Sequence, residues 1–89
     1  MKRFSIPGDV ACANVEDGAV VLHMGTKRYY SLNETGAAIW RLLEESVAIE
    51  EIPARLSASY DVTVDEARRE VDALVDALEA KTLITVDRA

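Results

Sequence analysis

Cys12 and His23 are the single cysteine and single histidine of the chain, and together they are the least that nucleophilic catalysis needs. The period-two register worked out below sets them opposite each other on neighbouring strands, on the face away from the apolar stripe. No third residue is placed there to orient the imidazole, and a sheet surface offers no oxyanion pocket. A strand cysteine commonly packs as a small apolar residue. One thiol and one imidazole also fall short of the four ligands of a structural zinc site. No phosphate loop, serine elbow or dinucleotide fingerprint occurs. The remaining polar chemistry is that of recognition: a tyrosine pair, Tyr29-Tyr30, and the carboxylates Asp72, Asp76 and Glu79 along a helical stretch.

The elements that must hold these groups change character near residue 33. From Val10 to Leu32 the residues alternate as strands do, interrupted by turn signals at Glu16-Asp17-Gly18 and Gly25-Thr26-Lys27. Setting Val15 against Val20 pairs Ala13 with Leu22 and Ala11 with Met24, which gathers apolar residues on one face. Across the second turn, a three-residue loop containing Gly25 pairs Leu22 with Tyr30 and Val20 with Leu32. The third strand, roughly Arg28 to Leu32, is then an edge strand with Tyr29 and Ser31 pointing away from that face.

Helical spacing follows. Asn33 is a good N-cap for a helix whose apolar positions are Ala37, Ile39, Trp40, Leu42 and Leu43. Asn33 needs no role beyond that cap, and Trp40 reads as core. A second helix is expected from about Ile49 to Ser59, with Pro53 in its first turn. The third begins near Val64, with Thr63 and Glu66 as a capping box. Val64, Ala67, Val71, Leu74 and Leu78 form its inward stripe, flanked on one side by Arg68, Asp72, Val75 and Glu79. Ala73, Ala77 and Ala80 make its far side smooth. Leu83-Ile84-Thr85-Val86 reads as one more short β segment or an extended tail. The expected fold class is α+β: a three-stranded antiparallel sheet followed by three helices, the plan of a winged helix-turn-helix.

Length and charge narrow the function. Eighty-nine residues leave room for one domain, 1–89, and a composition 49% hydrophobic and 29% charged is that of a globular chain. No apolar run approaches the roughly 20 residues of a membrane span. The start, Met1-Lys2-Arg3-Phe4-Ser5-Ile6-Pro7, is basic but lacks the apolar core of a signal peptide. A single cysteine fits a reducing cytoplasm. A net charge of −6 argues against a nucleic-acid partner. In a DNA-binding winged helix the third helix would enter the major groove. Here Arg68, Arg69 and Lys81 are outnumbered by Asp65, Glu66, Glu70, Asp72, Asp76 and Glu79, which would repel phosphate.

The run Asp17-Gly18-Ala19-Val20-Val21-Leu22, followed by Tyr29-Tyr30-Ser31-Leu32-Asn33-Glu34-Thr35-Gly36-Ala37-Ala38-Ile39-Trp40-Arg41-Leu42-Leu43, resembles the PqqD family. Glu51-Ile52, Tyr60-Asp61-Val62 and Val71-Asp72-Ala73-Leu74-Val75 continue the pattern, so the resemblance covers roughly residues 9 to 86. It implies a recognition module for ribosomally made, modified peptides, without catalysis or cofactor. In such modules the leader of a precursor peptide adds as a strand beside the third strand and lies against the third helix. A free-standing copy resembles the small recognition proteins of lasso-peptide clusters. Those work beside a separate leader peptidase of cysteine-protease type and then a cyclase. The rival within the family is the quinone-cofactor pathway, where the module serves a radical enzyme.

Strand addition suits the residues themselves, because an exposed edge offers main-chain donors and acceptors and alternate guest side chains fill pockets. The expected peptide site is therefore Lys27, Arg28, Tyr29, Tyr30, Ser31 and Leu32 on the strand. On the third helix it is Arg68, Val71, Asp72, Leu74, Val75, Asp76 and Glu79. Tyr30 shares the parity of Leu32 and also reads as core, whereas Tyr29 offers a guest both area and a polar tip. The carboxylates would favour Lys or Arg in the leader, or simply solvate a helix face.

Overall fold

Two turns set the sheet. The computed structural model describes residues 3–87, and in it β2 (Val10–Val15), β3 (Gly18–His23) and β4 (Tyr29–Leu32) form an antiparallel sheet in the order β2-β3-β4. Only Glu16 and Asp17 separate β2 from β3, so Val15 pairs with Gly18, Ala13 with Val20 and Ala11 with Leu22. The expected register was two residues longer because it allowed a wider loop. At the second turn, His23 N–H donates to the Arg28 carbonyl and Lys27 N–H to the His23 carbonyl, both at 2.8 Å. Met24–Lys27 is thus a four-residue loop, with Lys27 left-handed at φ 63°. The extra residue shifts the pairing by one: Leu22 meets Tyr29, Val21 meets Tyr30, Val20 meets Ser31 and Ala19 meets Leu32.

That single step reverses the faces of β2 and β3. Ala19 and Val21 are buried at 1% and 0% exposure, with Val10, Cys12 and Tyr30 packed against the same core. The residues expected inside, Ala11, Ala13, Val15, Val20 and Leu22, line the outer face instead. Cys12 sits opposite Val21 rather than His23, which pairs with Val10. His23 Nδ1 accepts the N–H groups of Gly25 and Thr26, each at 3.1 Å. The imidazole therefore holds the turn.

The helices start where local chemistry puts them. Asn33 Oδ1 accepts the Gly36 N–H at 2.8 Å and opens α1 (Glu34–Glu44). The expected second helix is a 3-10 turn, Ile49–Glu51, running into α2 (Ile52–Ser59), with Pro53 in the first turn of α2 where no N–H is needed. Thr63 Oγ1 accepts the Glu66 N–H at 3.1 Å and donates to Glu66 Oε1 at 3.0 Å, capping α3 (Val64–Ala80). Helix α1 packs on β3 and β4, and α2 packs on α3. Trp40, Ile39, Leu43, Val71 and Leu78 are each at most 1% exposed.

The chain then returns to its start. Leu83 and Ile84 plug the core at 0% and 1% exposure, and β5 (Thr85–Asp87) pairs antiparallel with β1 (Arg3–Ser5), Phe4 facing Val86. The short β segment expected at Leu83–Val86 thus begins two residues later, and it has a partner strand, β1, near the N-terminus. Met1 and Lys2, the start of the basic N-terminal run, lie outside the described residues. Among the described residues no helix is long and apolar enough to cross a membrane.

Helix α3 ends in a Schellman turn: Leu83 N–H donates to the Leu78 carbonyl and Thr82 N–H to the Glu79 carbonyl. Thr82 is left-handed at φ 59°, a conformation that a β-branched side chain resists. Thr82→Gly removes that cost and is expected to add about 1 kcal/mol of stability. A thermal melt should rise by roughly 4–8 °C.

Candidate functional site

The edge of β4 faces α3 across a groove. Strand β4 pairs only with β3 among the described residues, so its other edge is open. In an antiparallel pair, hydrogen-bonded and non-hydrogen-bonded residues alternate. The bond from His23 to Arg28 fixes the phase: Tyr30 and Leu32 direct their backbone groups to β3, while Tyr29 and Ser31 direct theirs to the open edge. Tyr29 is 62% exposed, and the side chains of Tyr30 and Leu32 turn inward.

Two hollows make up the groove and share Tyr30 and Ser31. The first, of about 250 Å³, is floored by Leu32, Ile39 and Leu74, with Asn33, Thr35 and Gly36 at the start of α1 and Glu70 and Ala73 on α3. The second, of about 670 Å³, lies between Lys27, Arg28 and Tyr29 on the strand side and Ala77, Ala80 and Lys81 on the helix. Arg28 Nη1 donates to the Ala80 carbonyl at 3.3 Å, tying the start of β4 to the end of α3.

The strand residues Lys27 to Leu32 and the helix residue Leu74 therefore meet in one place. The other helix positions expected at the site lie elsewhere. Val71 and Val75 are 1% and 2% exposed, behind the groove in the core. Arg68 and Asp72 line a separate hollow with Ile49, Glu50 and Pro53, and Arg68 Nη1 pairs with Asp65 Oδ1 at 3.1 Å. At about 100° per residue, Asp76 and Glu79 fall on the side of Arg68 and Asp72. The groove side of α3 and its C-cap is Glu70, Ala73, Leu74, Ala77, Ala80 and Lys81. The alanine row at 73, 77 and 80 was the signal: small side chains let an extended segment come close to the helix.

Cys12 has no part in this groove. Burial chiefly, aided by the negative charge of Glu44 and opposed by Arg41, pushes its thiol above the ordinary value. That disfavours the thiolate a nucleophile needs. Among the described residues no group of three or more His, Cys, Asp or Glu side chains converges as a metal site would require. What the groove can do is hydrogen-bond a strand and bury alternate side chains.

Residues 18–84 match the family described as coenzyme PQQ synthesis protein D (PqqD). Two solved structures are similar to the whole fold. One is a complex of TbiB1 with the TbiA(beta) leader peptide, 35% identical with a TM-score of 0.80, covering 89% of this chain and 92% of that one. The other is a lasso peptide synthetase B1 with its leader peptide, 26% identical with a TM-score of 0.80, covering 92% and 96%. No curated protein matches in sequence.

Proposed function

Because the chain belongs to the PqqD family, we propose that it binds the leader of a ribosomally made precursor as a fourth strand on β4. It then presents that precursor to separate enzymes of lasso-type biosynthesis in the cytoplasm. The observation that carries this is the open β4 edge, where the backbone groups of Tyr29 and Ser31 face a groove with an apolar floor at one end. The two similar structures, both leader complexes, support it. The chain itself does no chemistry. The quinone-cofactor reading keeps the support of the family's description, and neighbouring genes separate the two. A radical enzyme with no peptidase or cyclase beside it would favour the quinone pathway.

The outer sheet face suits the leader peptidase as the first of those partners. A sheet face turned to water normally carries polar residues. Here Ala11, Ala13, Val15, Val20 and Leu22 adjoin Tyr29, and a leader on β4 would extend that face with its own outward side chains. A peptidase docked there would touch carrier and leader together. Incubating chain and precursor is expected to leave the precursor mass unchanged, and adding the peptidase to release the leader. Leu22→Glu should retain leader binding and lose most of the cleavage. Processing by the chain alone, measured by mass spectrometry, would refute the carrier reading, and full cleavage with Leu22→Glu would refute the docking face.

A further inference from the structure

We infer that the groove selects for charge along its length, taking an extended peptide with an aliphatic side chain and, about four residues C-terminal to it, a carboxylate. This rests on the leader-binding reading and specifies the chemistry of the leader. The chain has 10 basic residues against 16 acidic ones. Even so, Lys27, Arg28 and Lys81 converge where β4 begins and α3 ends. None of the three has an ion-pair partner among the described residues. The bond from Arg28 to the Ala80 carbonyl answers the negative end of α3 with one cation. Lys27 is held on the strand-side turn at φ 63°, so the helix end does not account for it. The opposite end of the groove is apolar at Leu32, Ile39 and Leu74, and Glu70 is the charged residue that lines it.

The spacing follows from element geometry. From Leu74 to Lys81 the helix rises about 10 Å, and from Leu32 back to Arg28 the strand covers about 13 Å. An extended guest spans that in three to four residues, and a spacing of four keeps both side chains on the inward face. Antiparallel addition continues the pattern of the sheet and places the guest N-terminus beside Leu32. The aliphatic residue therefore comes first and the carboxylate second. This reverses the preference for Lys or Arg expected from Asp72, Asp76 and Glu79, which lie on another side of α3.

A displayed library of short peptides, randomised at every position and selected on the full chain at low salt, tests this. Selected sequences should carry Asp or Glu about four positions after an aliphatic residue. Resynthesis with that acid changed to Lys should weaken binding about ten-fold or more, and added salt should narrow the gap. Lys27→Glu combined with Lys81→Glu should abolish the preference. Should that variant not fold, the peptide pair on the unaltered chain decides alone. Peptides that shift the amide signals of residues 29–32 and 73–81 without preferring an acid would overturn the inference and leave leader binding standing. Selected peptides that bind away from the groove would overturn both.

Discussion

Ser31→Pro is expected to weaken leader binding about 30-fold while the protein stays folded. The Ser31 N–H faces the open edge, so proline removes no bond between β3 and β4. Edge strands tolerate proline for that reason. A guest strand loses one main-chain donor and meets the pyrrolidine ring. Losing about 2 kcal/mol would weaken binding roughly 30-fold. Calorimetric titration with the leader measures this, and circular dichroism checks the fold. Ser31→Ala, which keeps the N–H, should bind nearly as the unaltered chain does. Tyr30→Pro should unfold the protein, because the Tyr30 N–H belongs to the β3 ladder. Equal binding by Ser31→Pro and the unaltered chain would mean that no strand adds at β4.

Gly18→Ala is expected to destabilise the protein strongly. A Cβ at Gly18 would overlap the Leu32 carbonyl oxygen and lie 2.8 Å from the Leu32 carbonyl carbon. Both atoms are backbone, so no rotamer change relieves the clash. Gly18 also begins β3, one residue before the Ala19–Leu32 pair, and Leu32 leads directly into the Asn33 cap of α1. Relief would have to separate β3 from β4 or shift the start of α1, which costs about 3 kcal/mol or more. A thermal melt should fall by roughly 15 °C. A change of less than a few degrees would show that the β4–α1 junction yields easily.

The starts of α1 and α3 were legible in the sequence because they depend on short-range chemistry, whereas α2 begins at Ile52, three residues after the expected Ile49. Asn33, Thr63 and Pro53 each act within one turn of their own position. The faces of the sheet were not. Ala19-Val20-Val21-Leu22 is apolar at both parities, so alternation cannot choose a side, and the choice falls to the hydrogen bonds of the Met24–Lys27 loop. The pairing of β1 with β5 joins opposite ends of the chain, and no local pattern announces it. The inward parity of Tyr30 and the exposure of Tyr29 were both legible, since the edge strand reads the same in either register.

Of the helix positions expected to meet a peptide, Leu74 alone lines the groove, for a different reason. Leu74 belongs at once to the apolar stripe and to the groove. It has two flanks, one carrying charges and one carrying alanines. Charges draw attention as recognition groups, while alanine is a good helix former anywhere. The decision rests on which flank faces β4, and that is set by the packing of α3 against α2 on its other side. Arg68 and Asp72 consequently border the 3-10 turn and α2.

Amide hydrogen exchange, read residue by residue along β4, tests strand addition most directly. In the free chain, Tyr29 and Ser31 should exchange quickly and Tyr30 and Leu32 slowly, following the alternation fixed by the bond from His23 to Arg28. With the leader bound, Tyr29 and Ser31 should slow by about ten-fold or more, because their N–H groups become part of a sheet. Unchanged exchange at Tyr29 and Ser31, with new protection around Arg68 and Asp72, would contradict the account.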